Sequence, residues 1–335
     1  MAAQVPRVAI IILNWNGWRD TVECLESVFL LDYPDFRVIV CDNGSTDGSL
    51  EHIKGWMEGR RGSLRSVESR SAPTAQAASF TEYGKEEAEA GGAPDVAAQL
   101  VLIRNAANLG FAGGNNVGLR YALLCGYDYV WILNNDTVVN PRALVELVER
   151  MKMDHHIGIC GSTLAYYDQP ETVQALAGAA FDYARGIGVH IGFGEPLRPL
   201  RNRTEVEAKL DYIMGASMLV SREFLQSVGL MSESYFLYYE EIDWTLRAKG
   251  KFSLAWAPNS LVLHKEGATI GSSYRARPSD LALQYLYRSR LRFANRYLAN
   301  HFWKIWRSVA YEMLVYLKRA DWPASKIIAT ALLTE

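Results

Sequence analysis

Short, continuous apolar runs alternate with stretches of helical periodicity along the first part of the chain. Residues 8–13 form the first run and residues 37–41 the second. A strand without polar alternation is buried on both faces, as in a parallel sheet. Between the runs, apolar residues recur at helical spacing from Val22 to Phe29, and Pro34 ends this helix. This β-α-β order predicts a parallel sheet with right-handed crossovers.

The same alternation predicts the remaining elements. Further strands are expected at 100–103, 129–133, 157–160, 214–220, 252–256 and 261–264, and helices from about 46 and at 108–124, 140–153, 221–229, 240–249 and 281–319. Residues 59–98 contain almost no large aliphatic residues and predict a mobile insertion. Residues 161–203 are glycine-rich with few helical signals. We therefore expect one domain at 1–270 and a helical segment at 271–335.

Composition narrows the class of protein. With 49% hydrophobic and 21% charged residues, the chain is not disordered throughout. A net charge of −2 argues against a polycation built for nucleic acid. The four cysteines form no CxxC, so their spacing predicts neither a zinc knuckle nor a disulfide framework. The first apolar run is too short for a signal peptide or a transmembrane helix, and we expect a cytoplasmic protein.

Polar clusters follow three of the predicted strands, at 14–16, 42–43 and 134–136. Ligands of open α/β sheets bind beyond the carboxyl ends of the strands. The clusters therefore indicate a ligand site, although residues of these types also serve in turns. Asp42 could accept from a base or ribose group, or it could cap the helix near Thr46.

A glycine-rich segment at 108–116 opens a predicted helix. Glycines let the backbone approach a ligand closely, and a helix N-terminus favours anions. The segment has no Gly-Lys-Ser/Thr and does not follow the first strand, so it matches neither a Walker A loop nor a dinucleotide fingerprint.

Carboxylates suited to catalysis occur in two places. Asp136 with a neighbouring amide oxygen suits Mg²⁺ or Mn²⁺, which prefer oxygen ligands. Glu240, Glu241 and Asp243 lie at a helix start, where the helix dipole stabilises them, or they are simply an acidic first turn. His264 ends a strand and is either structural or a ligand.

The chain resembles family 2 glycosyltransferases of the GT-A fold, most closely their rhamnosyltransferase-like branch. The resemblance covers residues 7 to about 295, except 59–98. Five motifs carry it in the right order: Ile12-Leu13-Asn14-Trp15-Asn16-Gly17, Val40-Cys41-Asp42-Asn43-Gly44-Ser45-Thr46-Asp47, the segment 108–116, Leu133-Asn134-Asn135-Asp136, and Tyr235 to Trp244.

The resemblance implies a nucleotide-binding, mostly parallel sheet flanked by helices, with C-terminal amphipathic helices. It also implies that an acceptor hydroxyl attacks a nucleotide diphosphate sugar with inversion. Residues expected to line the donor site are Asn14, Asp42, Asn108, Asn115, Asn134 and Asn135. Asp136 corresponds to the metal ligand of the family's DXD motif, and His264 to a histidine that completes the metal site in some relatives. Asn134 replaces the first Asp of that motif, which leaves one carboxylate for Mg²⁺ or Mn²⁺.

The family's general base is the second acid of a Glu-Asp pair, which reads Glu240-Glu241 here. Glu241 is therefore expected to be the base, with Asp243 as the alternative. The implied product belongs to cell-surface polysaccharide or glycolipid synthesis, and the branch favours a deoxysugar such as rhamnose. A nucleotidyltransferase and a non-catalytic sugar-nucleotide binding protein are the alternatives.

Residues 281–319 combine eight basic residues with interleaved aromatic residues and a single acid, Glu312. Such a segment suits an anionic membrane surface. It could equally be a helix packed on the domain with a solvated basic face, whereas nucleic acid is disfavoured. A lipid-linked acceptor would favour the membrane, with the enzyme peripheral on its inner face.

Overall fold

The computed structural model describes residues 5–67, 79–93, 98–266 and 277–335. Strands form at the apolar runs that predicted them, and also at several less apolar segments. The strands are β1 (Val8–Asn14), β2 (Phe36–Asp42), β3 (Phe80–Gly84), β4 (Leu100–Arg104), β5 (Tyr129–Asn134), β6 (Thr137–Val139), β7 (Ile157–Tyr166), β8 (Gln169–Leu176), β9 (Gly178–Asp182), β10 (Ile187–His190), β11 (Tyr212–Ile213), β12 (Ser217–Ser221) and β13 (Ser253–His264).

Helices connect most of these strands and form the C-terminal segment. They are α1 (Trp18–Val28), α2 (Ser49–Val67), α3 (Lys85–Glu89), α4 (Gly110–Leu124), α5 (Ala143–Lys152), α6 (Arg203–Glu207), α7 (Arg222–Val228), α8 (Glu240–Ala248), α9 (Asp280–Tyr297), α10 (Phe302–Lys318) and α11 (Trp322–Thr334). None of the described helices is both long and apolar enough to cross a membrane.

One large, mostly parallel sheet organises the molecule. Its strand order is β3-β4-β2-β1-β5-β12-β7-β13-β6, and β8 pairs with β7. The strands from β3 to β5 run parallel, whereas β12 is antiparallel to both its neighbours. The register places Asn14 beside Asp42 and Leu13 beside Asn134. The polar residues that end these strands therefore meet at one edge of the sheet.

Side chains of β1 alternate between two cores, one on each face of the sheet. Ile10 and Ile12 pack with residues of α1, α2 and α5, whereas Ile11 packs with residues of α4, α7 and α8. Both sides are dry, which explains why the central strands are apolar at every position. The predicted α/β architecture with flanking helices is confirmed.

A second, smaller sheet has the order β10-β9-β11. It contacts the C-terminal helices through Phe181, whose ring lies 5.2 Å from that of Phe293 on α9. A separate apolar cluster, which includes Leu291, Val309 and Ile328, joins α9, α10 and α11. The C-terminal helices are therefore packed against the smaller sheet and against one another.

Four segments differ from the expectations. Within the predicted insertion 59–98, the described residues contain the rest of α2, the edge strand β3 and helix α3, while 68–78 and 94–97 lie outside the described residues. The glycine-rich segment 161–203 forms β8, β9 and β10. The two strands expected between 252 and 264 are one strand, and 281–319 is two helices rather than one.

Candidate active site

The ends of β1 and β2 are joined by a buried hydrogen bond. Asn14 Nδ2 donates to Asp42 Oδ1 at 2.7 Å, and the backbone N–H of Ser45 donates to Asp42 Oδ2 at 3.1 Å. Asp42 is 1% exposed. Both of its oxygens therefore accept from the protein, and the carboxylate also shapes the turn after β2.

This pair continues into a chain of polar side chains across the sheet edge. Thr21 of α1 donates its hydroxyl to Asn14 Oδ1 at 2.8 Å, and Asn135 Nδ2 donates to Thr21 Oγ1 at 3.0 Å. The chain thus links the ends of β5, β1 and β2. Each amide is held in one orientation before any ligand arrives, which is the usual requirement for a preorganised site.

The segment before α4 is held by Asn43. Its Nδ2 donates to Asn108 Oδ1 at 2.9 Å, and its Oδ1 accepts from the backbone N–H of Leu109 at 3.1 Å. Gly110 has a φ of +75°, and a Cβ there would lie 2.2 Å from the carbonyl oxygen of Phe236. Only glycine allows this close approach between the start of α4 and the loop before α8.

The first N–H groups of α4 already have partners within the protein. Asn108 Oδ1 accepts from Gly110, and the Phe236 carbonyl accepts from Phe111 at 2.7 Å. Asn115 lies one turn further along, fully buried, and donates to the Phe111 carbonyl. The geometry therefore uses part of this helix N-terminus to fix the loop rather than to bind an anion.

Asp136 and His264 meet because β6 pairs antiparallel with β13, with His264 opposite Thr137. The Lys265 N–H also donates to the Asp136 carbonyl at 2.9 Å. His264 Nε2 lies 3.2 Å from Asp136 Oδ1. Two residues 128 positions apart in the sequence are thus brought together by a strand pairing.

The other ring nitrogen of His264 is set by Gln174 of β8. Nδ1 lies 2.8 Å from Gln174 Oε1, which can only accept, so Nδ1 carries the proton. In the neutral imidazole Nε2 then presents its lone pair toward Asp136. Among the described residues, this buried Nε2 makes no hydrogen bond of standard geometry, and the Asp136 carboxylate lies 3.2 Å from it.

These atoms fit a divalent cation. Two ligands at about 2.1 Å from one octahedral ion lie roughly 3 Å apart, close to the observed contact between Nε2 and Oδ1. An orphaned imidazole nitrogen, a carboxylate and nearby amide oxygens are a donor set for Mn²⁺ or Mg²⁺. Burial lowers the pKa of His264, but the Asp136 carboxylate outweighs this effect and leaves the pKa raised.

The three carboxylates at the start of α8 have three different environments. Two left-handed residues, Tyr238 (φ 67°) and Tyr239 (φ 71°), turn the chain into this helix. Non-glycine residues hold this conformation only where the surroundings impose it. The turn directs Glu240 into the protein interior and leaves Glu241 half-buried.

Glu241 lies beside the start of α4. Its Oε1 accepts from the Gly215 N–H at 3.2 Å. A Cβ at Gly215 would lie 2.7 Å from this oxygen and 3.0 Å from the Phe111 ring, so the carboxylate is next to that ring. Burial raises the pKa of Glu241, and the backbone N–H partly offsets the effect.

Asp243 is fully buried, and both of its carboxylate oxygens have partners within the protein. Its Oδ1 accepts from the Tyr297 hydroxyl at 2.7 Å and lies 3.3 Å from Arg296, and its Oδ2 accepts from Arg247 Nε at 2.9 Å. Asp243 therefore ties α8 to α9.

Glu240 is 2% exposed, and its Oε2 has no hydrogen-bond partner among the described residues. Burial, and then the nearby charge of Glu241, raise its pKa well above the usual range.

An open pocket lies beyond the carboxyl ends of β1 and β5. It is lined by Leu13, Trp15, Asn43, Asn108, Gly110, Phe111, Asn134, Asn135, Asp136, Phe236, Leu237, His264 and Leu281. Five of the residues expected from the sequence are in this lining. The other five are not in it: Asn14, Asp42, Asn115, Glu241 and Asp243. Asn14 and Asp42 are next in sequence to the lining residues Leu13 and Asn43, and the Glu241 carboxylate is near the ring of Phe111.

Sequence reasoning did not single out several residues of this site. Asn43, Phe111 and Phe236 lie inside the motifs quoted above, so their position there was the available signal. Leu281 and Gln174 have no local signal, because strand pairing and the packing of α9 bring them to the site. The pocket therefore joins short motifs with residues that only the fold can place.

Comparison with known proteins gives a consistent picture. The model of the family described as "Glycosyl transferase family 2" matches residues 9–74 and 93–228. The low-salt glycan biosynthesis hexosyltransferase Agl10 of Haloferax volcanii is 29% identical over 149 residues, 44% of this chain. The putative glycosyltransferase EpsE of Bacillus subtilis is 23% identical over 164 residues, 49% of this chain. Each match covers 45% of the relative's own length.

Solved structures share the fold at low sequence identity. The mannosyltransferase PcManGT from Pyrobaculum calidifontis, in complex with GDP-Man and Mn²⁺, has a TM-score of 0.55 and 17% identity, covering 98% of this chain and 80% of that one. S. aureus TarS 1-349 in complex with UDP-GlcNAc has a TM-score of 0.50 and 15% identity, covering 85% and 65%.

Proposed function

Because this chain belongs to glycosyl transferase family 2, we propose that it transfers a hexose from a nucleotide diphosphate sugar to an acceptor hydroxyl with inversion. The observation that supports this most is one pocket lined by Asp136, His264 and Phe111, with the Glu241 carboxylate near the Phe111 ring. Displacement with inversion needs a leaving-group side and a proton-accepting side. Asp136 with His264 would serve the first, and Glu241 the second.

On the leaving-group side, Asp136 and His264 would hold Mg²⁺ or Mn²⁺. The ion would neutralise charge that develops on the diphosphate. Gln174 keeps the Nε2 lone pair of His264 directed at that position. The imidazole ligand favours Mn²⁺, because nitrogen suits transition metals better than hard cations.

The donor's nucleotide would lie along the polar chain at the sheet edge. Asn14 and Asp42 are buried within that chain of polar side chains, while Asn108, Asn134 and Asn135 line the pocket. Trp15 and Phe111 offer flat apolar surfaces for a base or a sugar ring. Asn115, fully buried in α4, would support this wall from behind.

On the acceptor side, Glu241 would take the hydroxyl proton at a carboxylate oxygen. The Gly215 N–H orients the carboxylate, and burial raises its pKa toward the range of a useful base. Asp243 is engaged by Arg247, Arg296 and Tyr297. We therefore assign the base to Glu241 and a positioning role to Asp243.

The same proposal covers the finer biological role. The product would be a cell-surface polysaccharide or glycolipid, with a deoxysugar such as rhamnose as the transferred group. The acceptor would be a saccharide or lipid-linked molecule, and the enzyme would work peripherally at the cytoplasmic face of a membrane.

A donor panel tests the proposal. Purified protein is mixed with several nucleotide sugars, with Mn²⁺ or with a chelator, and the melting temperature is measured. One donor should raise it in the presence of the metal, and that donor should then be consumed with an acceptor to give the inverted anomer by NMR. Pyrophosphate release from a nucleoside triphosphate would indicate a nucleotidyltransferase instead. Binding without turnover on any acceptor would indicate a non-catalytic binding protein.

A further inference from the structure

The arginines of α9 are used inside the protein. Arg288 and Arg292 pair with Glu335, Arg290 pairs with Glu312, and Arg296 contacts Asp243. Arg290 is only 5% exposed. The arginines of α9 therefore each lie against a carboxylate of the protein itself.

Helix α10 has a different outer face. Trp303 is 70% exposed and Tyr311 is 67% exposed, an unusual condition for large aromatic side chains. The exposed positions of this helix are spaced three or four apart, which places them on one face. Five of them are Trp303, Arg307, Tyr311, Leu314 and Lys318, and the exposed residues Lys304 and Leu317 lie next to this series. The opposite face, with Ile305 and Val309, is buried.

Helix α11 repeats the arrangement. Trp322 is 66% exposed and Leu333 is 86% exposed, and with Lys326 and Thr330 they follow the same spacing. The Trp306 indole donates to the Leu332 carbonyl, and the Trp303 ring lies 6.2 Å from that of Trp306. The start of α10 therefore lies beside the end of α11, so the two outer faces belong to one helical hairpin.

The basic residues of this hairpin lack carboxylate partners among the described residues, whereas its acidic residues are paired. Its exposed basic residues pair with no carboxylate in the part of the chain that the structure describes; they are Lys304, Arg307, Lys318, Arg319 and Lys326. Its three acids are each engaged: Glu312 with Arg290, Asp321 with Arg277, and Glu335 with Arg292. The outer face thus combines exposed aromatic side chains with unneutralised positive charge.

We propose that the outer face of α10 and α11 lies on an anionic membrane surface, with α10 in the plane of the interface. Tryptophan and tyrosine side chains favour the headgroup level, and lysine and arginine attract anionic lipids. A twofold contact with a second copy would instead bring two sets of unpaired cations together.

This surface is connected to the pocket. Leu281, in the first turn of α9, lines the pocket, and Tyr285 one turn later stacks on Phe236 with ring centroids 4.2 Å apart. Helix α9 therefore joins the pocket lining to the helices that carry this surface. On the transferase function proposed above, a surface-bound enzyme would act on an acceptor carried by a lipid.

Vesicle binding of the full chain tests the basic part of the surface. Phosphatidylcholine vesicles with and without phosphatidylglycerol are compared at rising salt. Wild type should bind the anionic vesicles and lose binding as salt rises. The triple variant Lys304→Gln, Arg307→Gln, Lys318→Gln should bind roughly 100-fold more weakly. The exposed Arg142→Gln serves as the matched control and should bind as wild type.

The aromatic part is tested separately. Trp303→Ala, Tyr311→Ala and Trp322→Ala together should reduce vesicle binding at least about 10-fold, whereas Phe193→Ala, an exposed aromatic elsewhere, should not. Unchanged binding in both triple variants, or equal binding to neutral vesicles, overturns the proposal. The proposal is also overturned if the wild type sediments as a dimer without vesicles and either triple variant abolishes that dimer.

Donor binding separates this result from the proposed function. The triple variants alter no pocket residue and should keep the donor-induced thermal shift of wild type. Loss of vesicle binding with that shift intact supports the membrane surface alone. A wild type that binds vesicles yet recognises no donor would contradict the transferase function and leave the surface in place.

Discussion

The two acidic regions near the pocket are built in different ways. At the carboxyl ends of the strands, Asp42 and Asp136 each meet a partner that strand register places there: Asn14 lies beside Asp42, and His264 lies opposite Thr137, the residue next to Asp136. At the start of α8, three carboxylates within one turn have different environments: Glu240 has an unpartnered oxygen among the described residues, Glu241 accepts from a backbone N–H, and Asp243 is paired with side chains. Position in a sheet thus fixes the environment of a carboxylate closely, whereas position in a helix start does not.

The largest effect is expected at the sheet edge. Asp136→Asn removes the only carboxylate of its motif, so transferase activity should fall to background. The loss should exceed the ~10–100-fold cost of removing a partner of a metal ligand. Calorimetry should show that nucleoside diphosphate no longer tightens Mn²⁺ binding, because the shared ion would have lost its charged ligand. His264→Ala should weaken Mn²⁺ more than Mg²⁺.

A surface cluster must be separated from this measurement. Asp154, His155 and His156 are exposed and close enough to hold a metal ion together. The calorimetry is therefore done in a His155→Ala, His156→Ala background, in which donor-linked metal binding should persist. Full activity in chelator-treated protein would contradict the metal site altogether.

The next effect is expected in the first turn of α8. Glu241→Gln should lower turnover roughly 10²–10⁴-fold with donor binding retained, because the acceptor proton loses its base. Since burial raises the pKa of Glu241, wild-type activity should fall toward low pH with a midpoint above the usual 4.5 for a glutamate. The exposed Glu223→Gln is the matched control. Near-normal turnover in Glu241→Gln would return the role to Asp243.

The sequence predicted the residues at the carboxyl ends of the central strands better than the residues around them, for physical reasons. Buried strands such as β1 and β5 are apolar at every position, and their polar ends mark the site directly. The edge strand β3, Phe-Thr-Glu-Tyr-Gly, is only partly buried and lacks that signal. Gln174 and His264 are 90 residues apart, so no local pattern could pair them. The surroundings of Glu241 and Asp243 likewise depend on distant partners, which are Gly215 for Glu241 and helix α9 for Asp243.

A smaller effect sharpens the role of Gln174 as a positioning residue. Gln174→Leu removes the acceptor for His264 Nδ1–H, so the ring is no longer fixed with Nε2 toward Asp136. Mn²⁺ affinity in the presence of nucleoside diphosphate should fall about 10–100-fold. Gln174→Glu keeps an accepting oxygen and should restore most of the affinity. Equal losses in both variants would mean that Gln174 matters only for packing.

The smallest effect concerns stability, at Glu240. Its pKa is raised in the folded protein, so the folded state holds a proton that the unfolded chain releases. The stabilisation is complete below about pH 4.5 and is lost as pH rises to the folded pKa, by up to about 1.4 kcal/mol per pH unit. Glu240→Gln lacks this titration. As pH rises across that window, the free energy of unfolding of the variant should therefore increase relative to that of the wild type. Glu241 remains in the variant, so part of the slope should persist.

Denaturant unfolding at several pH values measures the difference, with Glu223→Gln expected to follow wild type. Parallel pH profiles for Glu240→Gln and wild type would show that Glu240 is ionised in the folded protein, and that the two acidic regions are more alike than the geometry implies.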